Sequence, residues 1–138
     1  IAIDPPYGDM MSREKTGEAI KKNQSTDATP FTKNRSDLGN MDWKSFKEKF
    51  LETVYLSLPY LKDRGHYVIF IKDLQPKEGQ TNLLHSDLIE EINKIEGLNY
   101  IGMKIWADES INLYPYGYPH SFVSNQLHQY IMFFRKKN

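Results

Sequence analysis

The sequence predicts an α/β domain on a mostly parallel sheet with an antiparallel strand near its edge. Three observations carry that reading. Short apolar runs alternate with segments of helical periodicity, the pattern of strands joined by crossover helices. The last two strand-like runs have no helical segment between them, so they pair antiparallel as a long-looped hairpin. The chain has 138 residues, 39% of them hydrophobic, enough for one domain with a modest core.

Ile1-Ala2-Ile3 is an unbroken apolar run and reads as the end of a buried parallel strand. Pro5 and Pro6 cannot donate to a sheet ladder and stop it. Residues 9–41 form a long polar loop, with a short helix near Ser12–Lys22. Asp42 caps a helix that begins at Trp43. Trp43, Phe46, Phe50, Val54 and Leu61, with Leu51, Tyr55 and Leu58, form its broad apolar stripe against the sheet. Pro59 tightens its last turns and Gly65 terminates it. HYVIFIK, His66–Lys72, is a strong strand that leads to Asp73. Leu84, Leu88, Ile92 and Ile95 mark a second helix closed by Gly97. Leu98–Trp106 is a third strand, residues 107–126 a second long loop, and Leu127–Lys136 the last strand.

Composition removes several function classes. Lys+Arg and Asp+Glu number 18 each, so no global charge draws the chain to nucleic acid or membrane, although a local basic patch beside acid elsewhere leaves both open. With no cysteine there is no disulfide framework and no thiolate metal site, which fits a cytoplasmic protein. The four histidines, His66, His85, His120 and His128, lack metal-ligand spacing and read as surface or satisfied side chains. No apolar run is long enough for a membrane-spanning helix, and no signal peptide is visible. The chain begins with Ile in mid-strand, which reads as a piece of a longer protein.

The chemistry concentrates in Asp4-Pro5-Pro6-Tyr7-Gly8. In open α/β sheets ligands bind beyond the carboxyl ends of the strands, where these residues stand. Asp4 offers carboxylate acceptors and the Pro5 carbonyl offers another; the two rings stiffen the turn, Tyr7 offers an aromatic face, and Gly8 lets the chain leave sharply. Together they suit a flat group bearing an amino substituent. The acceptors hold its N–H hydrogens, aim its nitrogen at an electrophile, and favour the positive charge that develops on attack. A separate strong base is not demanded. Asp73 ends a strand on the same rim, and either lines this pocket or caps a turn.

IDPPYG after an apolar strand resembles the catalytic motif of the S-adenosylmethionine-dependent amino-methyltransferases. The stretch from Asp37-Leu38-Gly39-Asn40-Met41 through GHYVIFIKD, then NYIGMKIWAD and HQYIMFFRK, resembles later segments of the N6-adenine/N4-cytosine DNA methylases, in order and over nearly the whole chain. The resemblance implies a partial Rossmann-like methyltransferase fold: strands 4, 5, 6 and 7 of a sheet ordered 3-2-1-4-5-7-6. Asp4, Pro5, Pro6 and Tyr7 are then the catalytic pocket, with Tyr7 stacked on a flipped DNA base and Asp73 a further substrate contact. S-adenosylmethionine is the cofactor, no metal is used, and adenine is preferred to cytosine. A restriction endonuclease is the further partner that a restriction–modification role would bring.

The family's Phe-x-Gly-x-Gly cofactor turn is absent from all 138 residues. The chain thus reads as the target-amine half, with the cofactor half missing, the fragment inactive alone, and an apolar sheet edge exposed at Ile1–Ile3. RNA and protein-glutamine methyltransferases use similar turns and form one alternative; a noncatalytic nucleic-acid-binding fragment forms another. The loop after the catalytic turn is either a lid that orders over substrate or a surface loop. Tyr114–His120 reads as a proline-stiffened surface loop rather than a stacking platform.

Overall fold

The computed structural model describes residues 1–6, 32–73, 83–108 and 128–138. Four strands form one sheet: β1 (Ala2–Ile3), β2 (His66–Ile71), β3 (Leu98–Ala107) and β4 (His128–Lys136). Their order across the sheet is β1-β2-β4-β3. β1 pairs parallel with β2, with Ala2 opposite Val68 and Ile3 opposite Ile69. β4 runs antiparallel to β2 on one side and to β3 on the other. The expected pairing of the last two strands is therefore present, with β3 at the edge among the described residues and β4 inserted inside it. This is a partial Rossmann-like arrangement, in the order 4-5-7-6 that the resemblance implied.

Helices α1 (Trp43–Ser57) and α2 (Leu84–Asn93) cover one face of the sheet. The alternation along β2 explains why: Tyr67, Ile69 and Ile71 are buried while Val68 and Phe70 are half-buried on the other face. α1 contributes Phe46, Phe50 and Val54, and α2 contributes Leu84, Leu88 and Ile92, each set at three- and four-residue spacing. Met132 and Phe134 of β4 and Leu98 of β3 complete the core. Trp43, Phe46 and Phe50 form a stacked ladder, with centroids 5.3 and 5.4 Å apart.

The start of α1 follows the sequence closely. Asp42 accepts from the Ser45 backbone N–H at 2.8 Å and from the Ser45 hydroxyl at 3.1 Å. These bonds hold its carboxyl below the usual carboxylate value. The preceding residues are more ordered than a polar loop implies. Asp37 caps a short 3-10 turn, Leu38–Asn40, by accepting from the Gly39 N–H, and the Asn40 side-chain amide reaches the Thr32 and Asn34 carbonyls.

The exit from α1 tightens at Pro59 as expected, but Gly65 does not play the expected part. The α-helix ends at Ser57, and Leu58–Tyr60 tightens into a 3-10 turn around Pro59. The left-handed residue that follows is Arg64, with φ 58°, not Gly65. Gly65 is needed for space instead: a Cβ there would lie 2.6 Å from the Lys62 carbonyl oxygen, which accepts the Gly65 N–H at 2.8 Å. Lys136 of β4 donates to the Leu58 and Leu61 carbonyls at 3.1 and 2.6 Å, satisfying this turn.

Three further expectations are corrected. Tyr55 is 62% exposed, because the sheet already fills the stripe led by Phe46, Phe50 and Val54. Ile95 lies beyond α2, in the turn that Gly97 closes at φ 96°. Ile1 and Ala2 are exposed rather than buried, since β1 has a strand neighbour on one side only among the described residues. The apolar edge expected at Ile1–Ile3 is thus present.

Candidate active site

β1 and β2 are parallel neighbours, so the residues after Ile3 and after Ile71 leave the sheet at the same rim. β4 is antiparallel, so its first residues, His128–Tyr130, arrive there too. The sequence places Asp4, Pro5 and Pro6 at the β1 end of this rim, and Asp73 two residues past the β2 end. Tyr7 and Tyr114–His120 lie outside the described residues, as do Ser12–Lys22.

Asp4 is exposed by surface area, yet desolvation by the protein around it raises its carboxyl pKa above the usual value. Pro5 is buried and Pro6 half-buried. The turn is therefore rigid and lightly desolvated. Acceptors in such a place hold N–H groups more firmly than they would in open water.

Asp73 is the one buried charged side chain among the described residues, 5% exposed. Its Oδ1 accepts from the backbone N–H of His85 at 3.0 Å. Leu83, the residue before α2, makes no side-chain cap, so Asp73 caps this helix from across the chain. The His85 ring turns back on the same group, its Nδ1 2.8 Å from Oδ1 and 2.7 Å from Oδ2. The ring lies flat on Tyr130, centroids 3.8 Å apart and planes 14° from parallel. The Tyr130 hydroxyl is 3.0 Å from Nε2 of His128. Burial, then the Asp73 charge, push the Tyr130 pKa up.

The rim thus joins β2, α2 and β4 through Asp73, His85, Tyr130 and His128. The sequence signalled one member of this set, Asp73. His85 and His128 each pair one ring nitrogen with a rim residue, Nδ1 of His85 with Asp73 and Nε2 of His128 with Tyr130. The His85 pairing could not be made in advance, because Asp73 is twelve residues away in sequence and Tyr130 comes from a distant strand; the His128–Tyr130 pair, two residues apart on β4, was within reach of strand periodicity. Among the described residues no group of three or more acidic or histidine side chains could hold a metal ion, and no helix is long and apolar enough to cross a membrane. A shallow groove of about 460 Å³, lined by Arg64, Asn99, Arg135 and Lys137 among others, lies at the opposite end of the sheet, away from this chemistry.

No protein-family model and no curated protein sequence matches the chain. Solved structures do. A provisionally assigned DNA modification methylase from Thermus thermophilus, in its selenomethionine form, is 21% identical with a TM-score of 0.56; the match covers 70% of this chain and 38% of that one. The same protein complexed with S-adenosyl-L-methionine is 22% identical with a TM-score of 0.55, over 70% of this chain and 39% of that one. At this identity the likeness is one of fold. The chain spans well under half the length of these neighbours.

Proposed function

We propose that this chain is the target-amine half of a methyltransferase that moves a methyl group from S-adenosylmethionine to an exocyclic amine of a DNA base, adenine N6 before cytosine N4. The observation that carries this reading is the placement of Asp4-Pro5-Pro6 at the carboxyl end of β1, on a sheet ordered β1-β2-β4-β3. The neighbours' description as a DNA modification methylase, one structure holding S-adenosyl-L-methionine, agrees with it.

In this reading the Asp4 carboxylate and the Pro5 carbonyl accept the two amine hydrogens, and Tyr7 stacks on the base. The prolines fix the turn so that no reorganisation is needed at the moment of attack. The base leaves its duplex stack to reach the rim. S-adenosylmethionine supplies the methyl group when bound. The acceptors at the rim suit an amine rather than that donor, and the 138 residues hold no glycine-rich turn to cradle it. The donor-binding half therefore belongs to other residues of the longer protein.

The test uses the full-length protein, methyl-labelled S-adenosylmethionine and unmethylated DNA, with RNA and protein as parallel substrates. Each product is digested and the labelled unit identified. Label on an adenine or cytosine amine supports the reading, and Asp4→Ala lowers its rate at least about 100-fold. Label confined to RNA or to glutamine keeps the pocket and replaces the substrate. No label on any substrate refutes the reading.

A further inference from the structure

We propose that His85 receives the proton released when the target amine is methylated, with Asp73 holding its imidazole in the accepting tautomer. The inference rests on the amine-methylation reading and adds a residue to it. A helix cap needs one oxygen of Asp73 and no imidazole, but both oxygens of this buried carboxylate lie within 2.8 Å of His85 Nδ1. A carboxylate can only accept, so the hydrogen-bond network assigns the ring proton to Nδ1 and leaves a lone pair on Nε2. Among the described residues Nε2 has no hydrogen-bond partner. The Tyr130 stack fixes the plane of the ring and the helix N–H fixes its base. An imidazole oriented by a carboxylate, with its far nitrogen open, is the arrangement of a general base.

Its location fits the task. Tyr130 pairs with Ile71 of β2. Continuing the β1 register places Pro5 beside Ile71 on the other side. Two strand spacings, roughly 10 Å, therefore separate the Pro5 position from the Tyr130 position. The His85 ring, stacked on Tyr130, therefore stands on the same rim as the Pro5 carbonyl that would hold the amine, and water between them carries the proton. Among the described residues the titratable and charged groups around the ring are Asp73 after β2, with Lys72 next to it in sequence, and Tyr130 and His128 on β4. On its own helix Asp87 is taken up by Trp43 Nε1 at 3.1 Å.

The proton balance is explicit. As the amine lone pair bonds the methyl carbon, the carbon–sulfur bond breaks and its electron pair stays on sulfur, leaving a neutral thioether. The nitrogen is then cationic and carries one proton too many. That proton passes to Nε2, the Asp73 carboxylate stabilises the imidazolium, and the proton returns to solvent.

Two measurements on the full-length protein test this. First, single-turnover methyl transfer to DNA is followed against pH for the wild type and His85→Gln. The wild-type rate should fall as pH is lowered, while the variant loses that limb and is about 100-fold slower on the plateau. Binding of DNA should be unchanged. Second, the imidazole 15N spectrum of the wild type should show Nδ1 protonated and Nε2 bare at high pH; this needs no turnover and no variant. A proton on Nε2 overturns the proposal. So does transfer by His85→Gln at the wild-type rate with the same pH limb, which leaves the amine-methylation reading standing. No transfer by the wild type overturns both.

Discussion

Replacing Asp73 by Ala should loosen the start of α2 before it harms the rest of the fold. The side chain is nearly fully buried and accepts two bonds from one residue, the His85 backbone N–H and the His85 ring. Losing a helix-cap bond costs about 1 kcal/mol, and losing a charge-assisted bond about 1.5–3 kcal/mol. Water regains part of this, because the His85 side chain keeps 19% of its exposure. The net expectation is a loss of about 2–4 kcal/mol, with no cap from Leu83 to take over. Amide hydrogen exchange reads it locally: first-turn amides of α2 should exchange roughly 30- to 900-fold faster, while those of β2 and β4 change less. Asp73→Asn keeps one acceptor and should lose about half as much. A change under about 0.5 kcal/mol in the alanine variant, with unaltered exchange in α2, would refute the reasoning that this carboxylate organises the rim.

Two other expectations follow from particular contacts. Gly65→Ala drives a Cβ to 2.6 Å from the Lys62 carbonyl, a backbone atom that cannot swing aside, so chemical denaturation should register a loss of about 1–3 kcal/mol. Asp42 is held below the usual carboxylate value by its bonds to Ser45, so its contribution is present above the unfolded pKa and lost as pH falls through the folded one. Asp42→Asn keeps the cap but cannot titrate; its deficit in melting temperature against the wild type should therefore shrink as pH falls below about 4, and a constant deficit would contradict the assignment.

Much of the fold was legible because the signals were local. The unbroken apolar run HYVIFIK, the Phe46-Phe50-Val54 spacing and the Asp42 cap each fix an element from a few neighbouring residues. The errors lie where a choice depended on something distant. Tyr55 and Phe50 are both apolar and helical, and the sheet decides which is buried. Gly65 suggested a left-handed helix stop, but that conformation falls on Arg64 and the glycine answers a backbone approach instead. Gly102, at φ 141°, sits at a β-bulge between Tyr100 and the rest of the β3–β4 ladder, a register shift that no local pattern announces. At the site, Asp4-Pro5-Pro6 was conspicuous because the chemistry is written in consecutive residues. The Asp73–His85–Tyr130–His128 set was not, because β2, α2 and β4 must assemble before it exists.

The order of the strands has a consequence for synthesis. β4 is made after β3 yet lies between it and β2. Until residues 128–136 leave the ribosome, β2 has β1 as its partner and β3 has none among the described residues, so the nascent chain carries two separated ladder edges with Ile and Phe side chains beside them. Both close together, when β4 slots between them. A ribosome that stalls before that point releases a chain with its centre missing rather than its end, which makes those nine residues the segment whose timely arrival decides between folding and aggregation.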